Sequence, residues 1–227
     1  MIGIFDSGVG GFASLYELHR LKPYADIVYL ADRKNAPYGK KKRPELISLV
    51  TEDIRRLTER GAKRVLIACC TASTVWEELG RAERNISVPI IRPAAEHAAS
   101  VSKKGIAVIA TEATVASGAF GKEISRHSSL PVTEISAQEL VTLVEGGCRD
   151  GRLSENDMKK VSAVAEKINK TGADTLVLGC THFSHLEKTL SHLTEMKTVS
   201  PARVGAHLIA KDYLIEPTRE TGRVTYL

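Results

Sequence analysis

Two cysteines stand where an apolar run stops. Val65-Leu66-Ile67-Ala68 leads into Cys69-Cys70-Thr71, and Leu176-Val177-Leu178-Gly179 leads into Cys180-Thr181-His182. A single thiol behind such a run is ordinarily a small buried hydrophobe. Two in matching surroundings, each with a threonine close behind, fit that account less well and are candidates for thiol chemistry. Cys69-Cys70-Thr71-Ala72-Ser73 also reads as the opening of a helix, where unpaired N–H groups and the helix dipole favour a thiolate. Thr71, Ser73 and Thr74 carry hydroxyls that cap a helix or bond a carboxylate. Cys148, behind Gly146-Gly147, has no such setting and reads as incidental.

Other groupings carry weaker signals. Cys69, Cys70, Cys180 and His182 make a nominal zinc set, but adjacent cysteines rarely reach one tetrahedral ion, and no C-x-x-C or H-x-x-x-H spacing accompanies them. No metal is expected. Gly8-Val9-Gly10-Gly11-Phe12-Ala13 satisfies G-x-G-x-x-A between a strand and a helix, with Asp32 ending the next strand, which is a dinucleotide signature. Asp6 and Ser7 precede its first glycine, however, and a carboxylate repels a pyrophosphate. The glycines more simply allow a tight turn and leave N–H groups for a smaller anion, so no nucleotide cofactor is expected. Glu145, behind an apolar run, reads by itself as a solvated helix-end carboxylate, and His182 as an ordinary core or surface histidine.

The elements that must position these residues alternate. Short runs rich in Val, Ile and Leu at 2–5, 27–30, 65–68, 88–91, 106–109 and 176–178 lack polar alternation, as expected of parallel strands buried on both faces. Between them lie helical stretches at 13–21, 44–60, 74–82, 117–125 and 156–170; in the second, Leu46, Ile47, Leu49, Val50, Ile54 and Leu57 recur at helical spacing. Strand and helix in alternation predict an α/β fold with mostly parallel sheets flanked by helices. The halves also match: Ile2-Gly-Ile-Phe-Asp6-Ser7 aligns with Ile106-Ala-Val-Ile-Ala110-Thr111, and the run into Cys69 aligns with the run into Cys180. Two pseudo-symmetric lobes are expected, the first made of residues 1–92 plus 200–227 and the second of 93–199. Crossings are expected around Ile91-Arg92-Pro93 and Val199-Ser200-Pro201. Ligands of open α/β sheets sit at the carboxyl ends of the strands, where Asp6, Asp32, Cys69, Thr111 and Cys180 fall; two facing lobes would bring both sets to one cleft.

Composition narrows the function class. Of 227 residues, 43% are hydrophobic and 26% charged, the balance of a globular protein. Aromatic residues are 5%, too few for a base-stacking platform, so no nucleic-acid partner is expected. A net charge of +5 says little, and the run Lys40-Lys41-Lys42-Arg43 reads first as a solvated segment. No apolar stretch reaches 18 residues and the N-terminus lacks a basic n-region, so neither a membrane span nor a secretory signal is expected, and the cytoplasm is the expected compartment. Four cysteines do not make a disulfide framework.

Taken in order, Asp6-Ser7-Gly8-Val9-Gly10-Gly11, Pro37-Tyr38-Gly39, Ala68-Cys69-Cys70-Thr71-Ala72-Ser73, Ala110-Thr111 with Thr114 and Ser117-Gly118, Leu143-Val144-Glu145-Gly146-Gly147, and Leu178-Gly179-Cys180-Thr181-His182-Phe183 resemble the aspartate/glutamate racemase family, and glutamate racemases within it, from residue 2 to about residue 186. The resemblance implies a cofactor-independent racemase acting on glutamate for peptidoglycan precursors, with the active site between two lobes. It implies that Cys69 works on the D-enantiomer and Cys180 on the L-enantiomer, with Asp6 assisting the first and Glu145 with His182 the second. Asp6, Ser7, Tyr38, Gly39, Cys70, Thr71, Thr114, Thr181 and His182 match the positions that hold the ligand. A homodimer is compatible with it. The chemistry is consistent: inverting a carbon needs a base on one face and an acid on the other, and a thiol pKa of about 8.5 leaves both forms accessible. Donors from the loops at Thr71 and Thr114 would stabilise the developing charge.

The chain departs from the family pattern at four places. Cys70 stands where asparagine is usual. Asp32-Arg33-Lys34-Asn35-Ala36 replaces a Thr-Ala-Arg-Phe type of segment, and Ser136-Ala137-Gln138-Glu139 replaces one of Ala-Cys-Pro type. The sequence reaches Leu227 about where the family's last strand begins, so the family's closing helix is not expected. These departures leave two other readings: a racemase for aspartate or a broader set of amino acids, and a ligand-binding homologue impaired in turnover.

Overall fold

The apolar runs form parallel strands covered on both faces. The computed structural model describes residues 1–147, 153–212 and 221–227; Cys148 lies outside them. In chain order the elements are β1 (Ile2–Asp6), α1 (Phe12–Leu21), β2 (Ile27–Ala31), α2 (Arg43–Glu59), β3 (Arg64–Ile67), α3 (Cys70–Ser73), α4 (Arg81–Ile86), β4 (Ser87–Pro89), α5 (Ile91–Val101), β5 (Ile106–Ala110), α6 (Glu112–Ser117), α7 (Ala119–Ile124), β6 (Val132–Ser136), α8 (Gln138–Glu145), α9 (Glu155–Asn169), β7 (Thr175–Gly179), α10 (Glu187–Thr194), β8 (Lys197–Val199), α11 (Pro201–Asp212) and β9 (Val224–Tyr226). They divide into one unit of Met1–Pro93 with Ala202–Leu227 and a second of Ala94–Pro201.

In the first unit the strand order is β4-β3-β1-β2-β9, with every pairing parallel. All five residues of β1 are buried, because the sheet is covered on both sides. On one side α2 sets Leu46, Val50, Ile54 and Leu57 against Phe5, Val28, Leu30, Val65 and Ile67. Each side chain so removed from water contributes roughly 1.5–3 kcal/mol. Gly11 leads into α1 from close beside β1: a Cβ there would lie 2.6 Å from Asp6 Cβ and 2.8 Å from the Tyr29 hydroxyl oxygen. No side chain fits.

In the second unit the order is β6-β5-β7-β8, again parallel throughout. Its core gathers Leu140, Val144, Val161, Val164, Ile168, Leu176, Leu178, Phe183 and Leu190. Replacing β6-β5-β7-β8 by β2-β1-β3-β4 reproduces the first sheet apart from its edge strand β9, so the repeat read in the sequence is a repeat of topology.

Several local expectations give way to tertiary structure. The helix expected at 74–82 is absent as such: α3 ends at Ser73, a 3-10 turn covers Trp76–Glu78, and α4 starts after Gly80. The Trp76 indole N–H donates to Ser87 Oγ at 3.0 Å, which holds that turn against β4. The stretch 117–125 is two helices, parted by Gly118 at φ +61°. At both crossings the chain is helical. Ile91 and Pro93 lie in the first turn of α5, and Pro201 opens α11; proline fits a first helical turn because its missing N–H would have no helical partner there. The strands β6, β8 and β9 are short or partly polar, and periodicity does not announce them.

Candidate active site

Cys69 lies just past β3, whose residues pair in register with β1, Phe5 opposite Ile67. It is the N-cap of the single-turn α3: its sulfur accepts the Ala72 N–H at 3.4 Å and stands 3.4 Å from Ser7 Oγ. Asp6, the last residue of β1, is buried, and its Oδ1 accepts the Gly8 N–H at 2.8 Å. Burial and then the charge of Asp6 push the Cys69 thiol up to about 11, against the hydrogen bonds from Ser7 and Ala72, which pull it down. The helix start was expected to favour a thiolate. A helix of one turn in a buried setting does not outweigh desolvation and an adjacent carboxylate, so Cys69 rests as a thiol. Cys70 and Thr71 follow it, both buried, in the turn itself.

Cys180 lies just past β7, which pairs in register with β5, Ala110 opposite Gly179. Gly179 is required there: a Cβ would lie 2.8 Å from both Ile109 O and Phe120 Cε2. The chain then bends, with the Cys180 N–H donating to Leu178 O at 2.8 Å, and enters a 3-10 turn over Thr181–Leu186. That turn brings His182 Nδ1 to 3.4 Å from the Cys180 sulfur. On the far side of the ring, His182 Nε2 is 3.5 Å from Glu145 Oε1. Glu145 ends α8, whose apolar face packs on the same core as Cys180 and Phe183. Thus Cys180, His182 and Glu145 form one chain of contacts, although neither His182 nor Glu145 stood out by spacing alone. Thr181 is buried beside it.

Thr111 caps α6, its Oγ1 accepting the Thr114 N–H at 3.2 Å and donating to Thr114 Oγ1 at 2.9 Å; Thr114 is fully buried. Gly39 is exposed in a 3-10 turn over Tyr38–Lys40. Tyr38 itself is buried, with its hydroxyl 2.7 Å from Asp32 Oδ2 and 2.6 Å from Asp53 Oδ2. Asp53 was not a candidate on sequence. Its signal was available: it stands on the apolar stripe of α2 between Val50 and Leu57, and is buried with them. Among the described residues, no three His, Cys, Asp or Glu side chains gather as a metal-binding group. Cys69, Cys70 and Cys180 are all buried and none is in a disulfide.

Fold and site together define a two-lobed parallel α/β protein in which each lobe sets a buried thiol behind the strand next to its central one. The family model for Asp/Glu/Hydantoin racemase matches residues 26–209, and the chain belongs to that family. A glutamate racemase of Herpetosiphon aurantiacus is 34% identical over 234 residues, covering 100% of this chain and 91% of the relative. One from Persephonella marina is 37% identical, covering 85% of this chain and 74% of the relative. A solved glutamate racemase isoform of Bacillus anthracis has a TM-score of 0.86 at 28% identity, covering 100% of this chain and 87% of that one.

Proposed function

We propose that this chain interconverts L- and D-glutamate without a cofactor, with Cys69 and Cys180 as its two acid–base groups, and supplies D-glutamate for peptidoglycan precursors in the cytoplasm. The observation that carries this reading is the equivalence of the two thiols. Each follows a strand paired in register with the central strand of its lobe, and each has an ionisable neighbour, Asp6 in one case and His182 with Glu145 in the other. The first lobe is taken as residues 1–92 plus 200–227 and the second as 93–199. The names of the relatives supply the substrate.

In this mechanism one thiolate removes the α-proton from one face of the bound amino acid and the opposite thiol delivers a proton to the other face. Cys69 acts on the D-enantiomer and Cys180 on the L-enantiomer. With Cys69 at rest as a thiol, the first lobe is set to deliver a proton, while an imidazole stands against the sulfur of the second. Reversing the direction requires Cys69 to ionise. A substrate ammonium group near Asp6 would offset the carboxylate charge that opposes this. Ser7, Tyr38, Gly39, Cys70, Thr71, Thr114 and Thr181 hold the substrate, and hydroxyl and N–H donors at Thr71 and Thr114 stabilise the carbanion-like transition state.

The test is circular-dichroism polarimetry on the full chain, with L- and with D-glutamate, no cofactor added, together with α-proton exchange in deuterated water. Racemisation is expected in both directions. Cys69→Ala and Cys180→Ala are each expected to lower it by about 10²–10⁴-fold. Full turnover in either variant, or turnover of another amino acid in place of glutamate, overturns the reading. One observation favours a shifted substrate range: Cys70, buried in α3, stands where the family has a hydrogen-bonding asparagine. Cys70→Asn is expected to raise glutamate turnover, and an unchanged or lower rate counts against that role.

A further inference from the structure

The buried carboxylate of Asp53 takes part in none of the chemistry above, yet its geometry makes a demand on protons. The Tyr38 hydroxyl has one proton to donate and two carboxylates within 2.7 Å and 2.6 Å. Asp32 is fixed as an acceptor on both oxygens, because the Asn35 amide donates to Oδ1 at 3.0 Å and to Oδ2 at 2.9 Å. Asp53 Oδ1 accepts Arg56 Nη1 at 3.3 Å, and its Oδ2 faces the Tyr38 oxygen that Asp32 also faces. Were both carboxylates ionised, one short contact would set a charged oxygen against the hydroxyl's lone pairs. The arrangement closes when Asp53 carries a proton on Oδ2 and donates it to Tyr38, which donates in turn to Asp32.

We propose that Asp53 is a positioning residue: through its proton it latches Tyr38 to the end of β2 and to α2, holding the Pro37-Tyr38-Gly39 loop, so that amino-acid binding weakens as Asp53 ionises. This rests on the reading that the loop holds the substrate. The latch joins three separate parts of the first lobe, since Asp32 follows β2, Tyr38 lies in the turn and Asp53 lies in α2. The titratable and charged groups that face Asp53 are Tyr38, Asp32 and, on its own helix, the half-exposed Arg56. Burial first and then the charge of Asp32 raise the Asp53 carboxyl to about 6, against the hydrogen bonds from Tyr38 and Arg56. The sign follows. Below that value Asp53 is neutral and the latch is closed. Above it two anions compete for the single proton of Tyr38, and one contact opens.

The experiment follows KM and kcat for glutamate from about pH 5 to about pH 8, a span bracketing the ordinary range of a raised carboxyl. In the unmodified chain KM is expected to rise severalfold with pH through the Asp53 titration. Asp53→Asn keeps a donor toward Tyr38 at every pH and is expected to flatten the KM profile. Asp53→Leu donates nothing and is expected to hold KM high throughout. The same KM rise in Asp53→Asn as in the unmodified chain overturns the proposal. A second measurement needs neither substrate nor a folded variant: the carboxyl carbon resonance of Asp53 and the ring resonances of Tyr38, followed by NMR in the unmodified chain. A shared titration supports the latch, even if glutamate turnover is absent and the functional reading thereby fails. Asp53 ionised across the whole range, with Tyr38 unmoved, overturns it.

Discussion

On the strand beside Cys69, the first lobe ends β1 with Asp6; at the same register in the second lobe, β5 ends with Ala110. One position further, Ser7 turns its hydroxyl toward the thiol, whereas Thr111 turns its own to cap α6. Past the thiol the difference reverses. After Cys69 comes the helical turn of α3, and after Cys180 a 3-10 turn that carries His182 back to the sulfur. The same topology therefore sets two thiols in equivalent places and gives them opposite neighbours, an anion for one and an imidazole for the other. A racemase requires this kind of inequality at any moment, because one sulfur must hold a proton while the other lacks it. A carboxylate beside a buried thiol opposes its ionisation, and an imidazole beside a thiol can take its proton.

The largest effects should come from exchanging these neighbours. Asp6→Asn removes the anion that helps raise Cys69, so alkylation of Cys69 near neutral pH is expected to speed up by as much as about tenfold, one pKa unit of thiolate. Burial, the larger cause, stays in place. His182→Asn removes the ring from the sulfur of Cys180 and is expected to slow alkylation of Cys180. Peptide mapping by mass spectrometry reads both rates in the same sample. Changes of the same sign would break the comparison. Turnover is expected to fall in both variants by about 10²–10⁴-fold, the ordinary worth of general acid–base assistance. The two enantiomers of an amino acid have equal free energy, so kcat/KM must stay equal in both directions in either variant. The asymmetry is to be sought in the thiols themselves.

How much of this was legible in the residues depends on what each signal measures. The long buried strands were readable, since four or five consecutive apolar residues have few other uses, and the two thiols behind β3 and β7 were found through that repetition. The short strands β6, β8 and β9 were not, because partners rather than periodicity make them strands. Gly80 and Gly118 set helix limits that amphipathic spacing ran across. At the site, spacing alone left Glu145 and His182 indistinct, since 37 residues separate them in the chain and only the packing of α8 on the turn after β7 joins them. The direction in which Cys69 shifts is hidden for the same kind of reason. The helix start is visible in sequence, while burial and the neighbouring strand's carboxylate are not. Asp53 was legible in principle, as a charge on an apolar stripe.

A smaller effect comes from the residue before each thiol. Gly179 precedes Cys180 and Ala68 precedes Cys69. Ala68 is fully buried and accommodated, whereas a methyl at Gly179 would press on Ile109 O and Phe120 and lie 3.1 Å from Ala110 Cβ. Gly179→Ala is therefore expected to cost about 1–3 kcal/mol by overpacking. Ala68→Gly is expected to cost about 0.5–1 kcal/mol through lost strand rigidity. Urea unfolding measures both, and equal costs would mean that the two lobes pack behind their thiols alike.

The smallest effects separate the two hydroxyls that share a register position. Thr111→Ala removes the N-cap of α6, and caps of this kind are worth about 0.5–2 kcal/mol, so the second lobe should unfold at lower urea. Ser7→Ala removes a hydrogen bond that lowers the Cys69 thiol, so that thiol should rise further and alkylate more slowly, with little change in stability because Ser7 is only half-buried. One substitution at one topological position should thus register in unfolding in one lobe and in thiol reactivity in the other. If Ser7→Ala instead destabilised as much as Thr111→Ala and left Cys69 unchanged, the hydroxyl beside that thiol would be a structural cap in both lobes. The inequality between the two sulfurs would then rest on Asp6 and His182 alone.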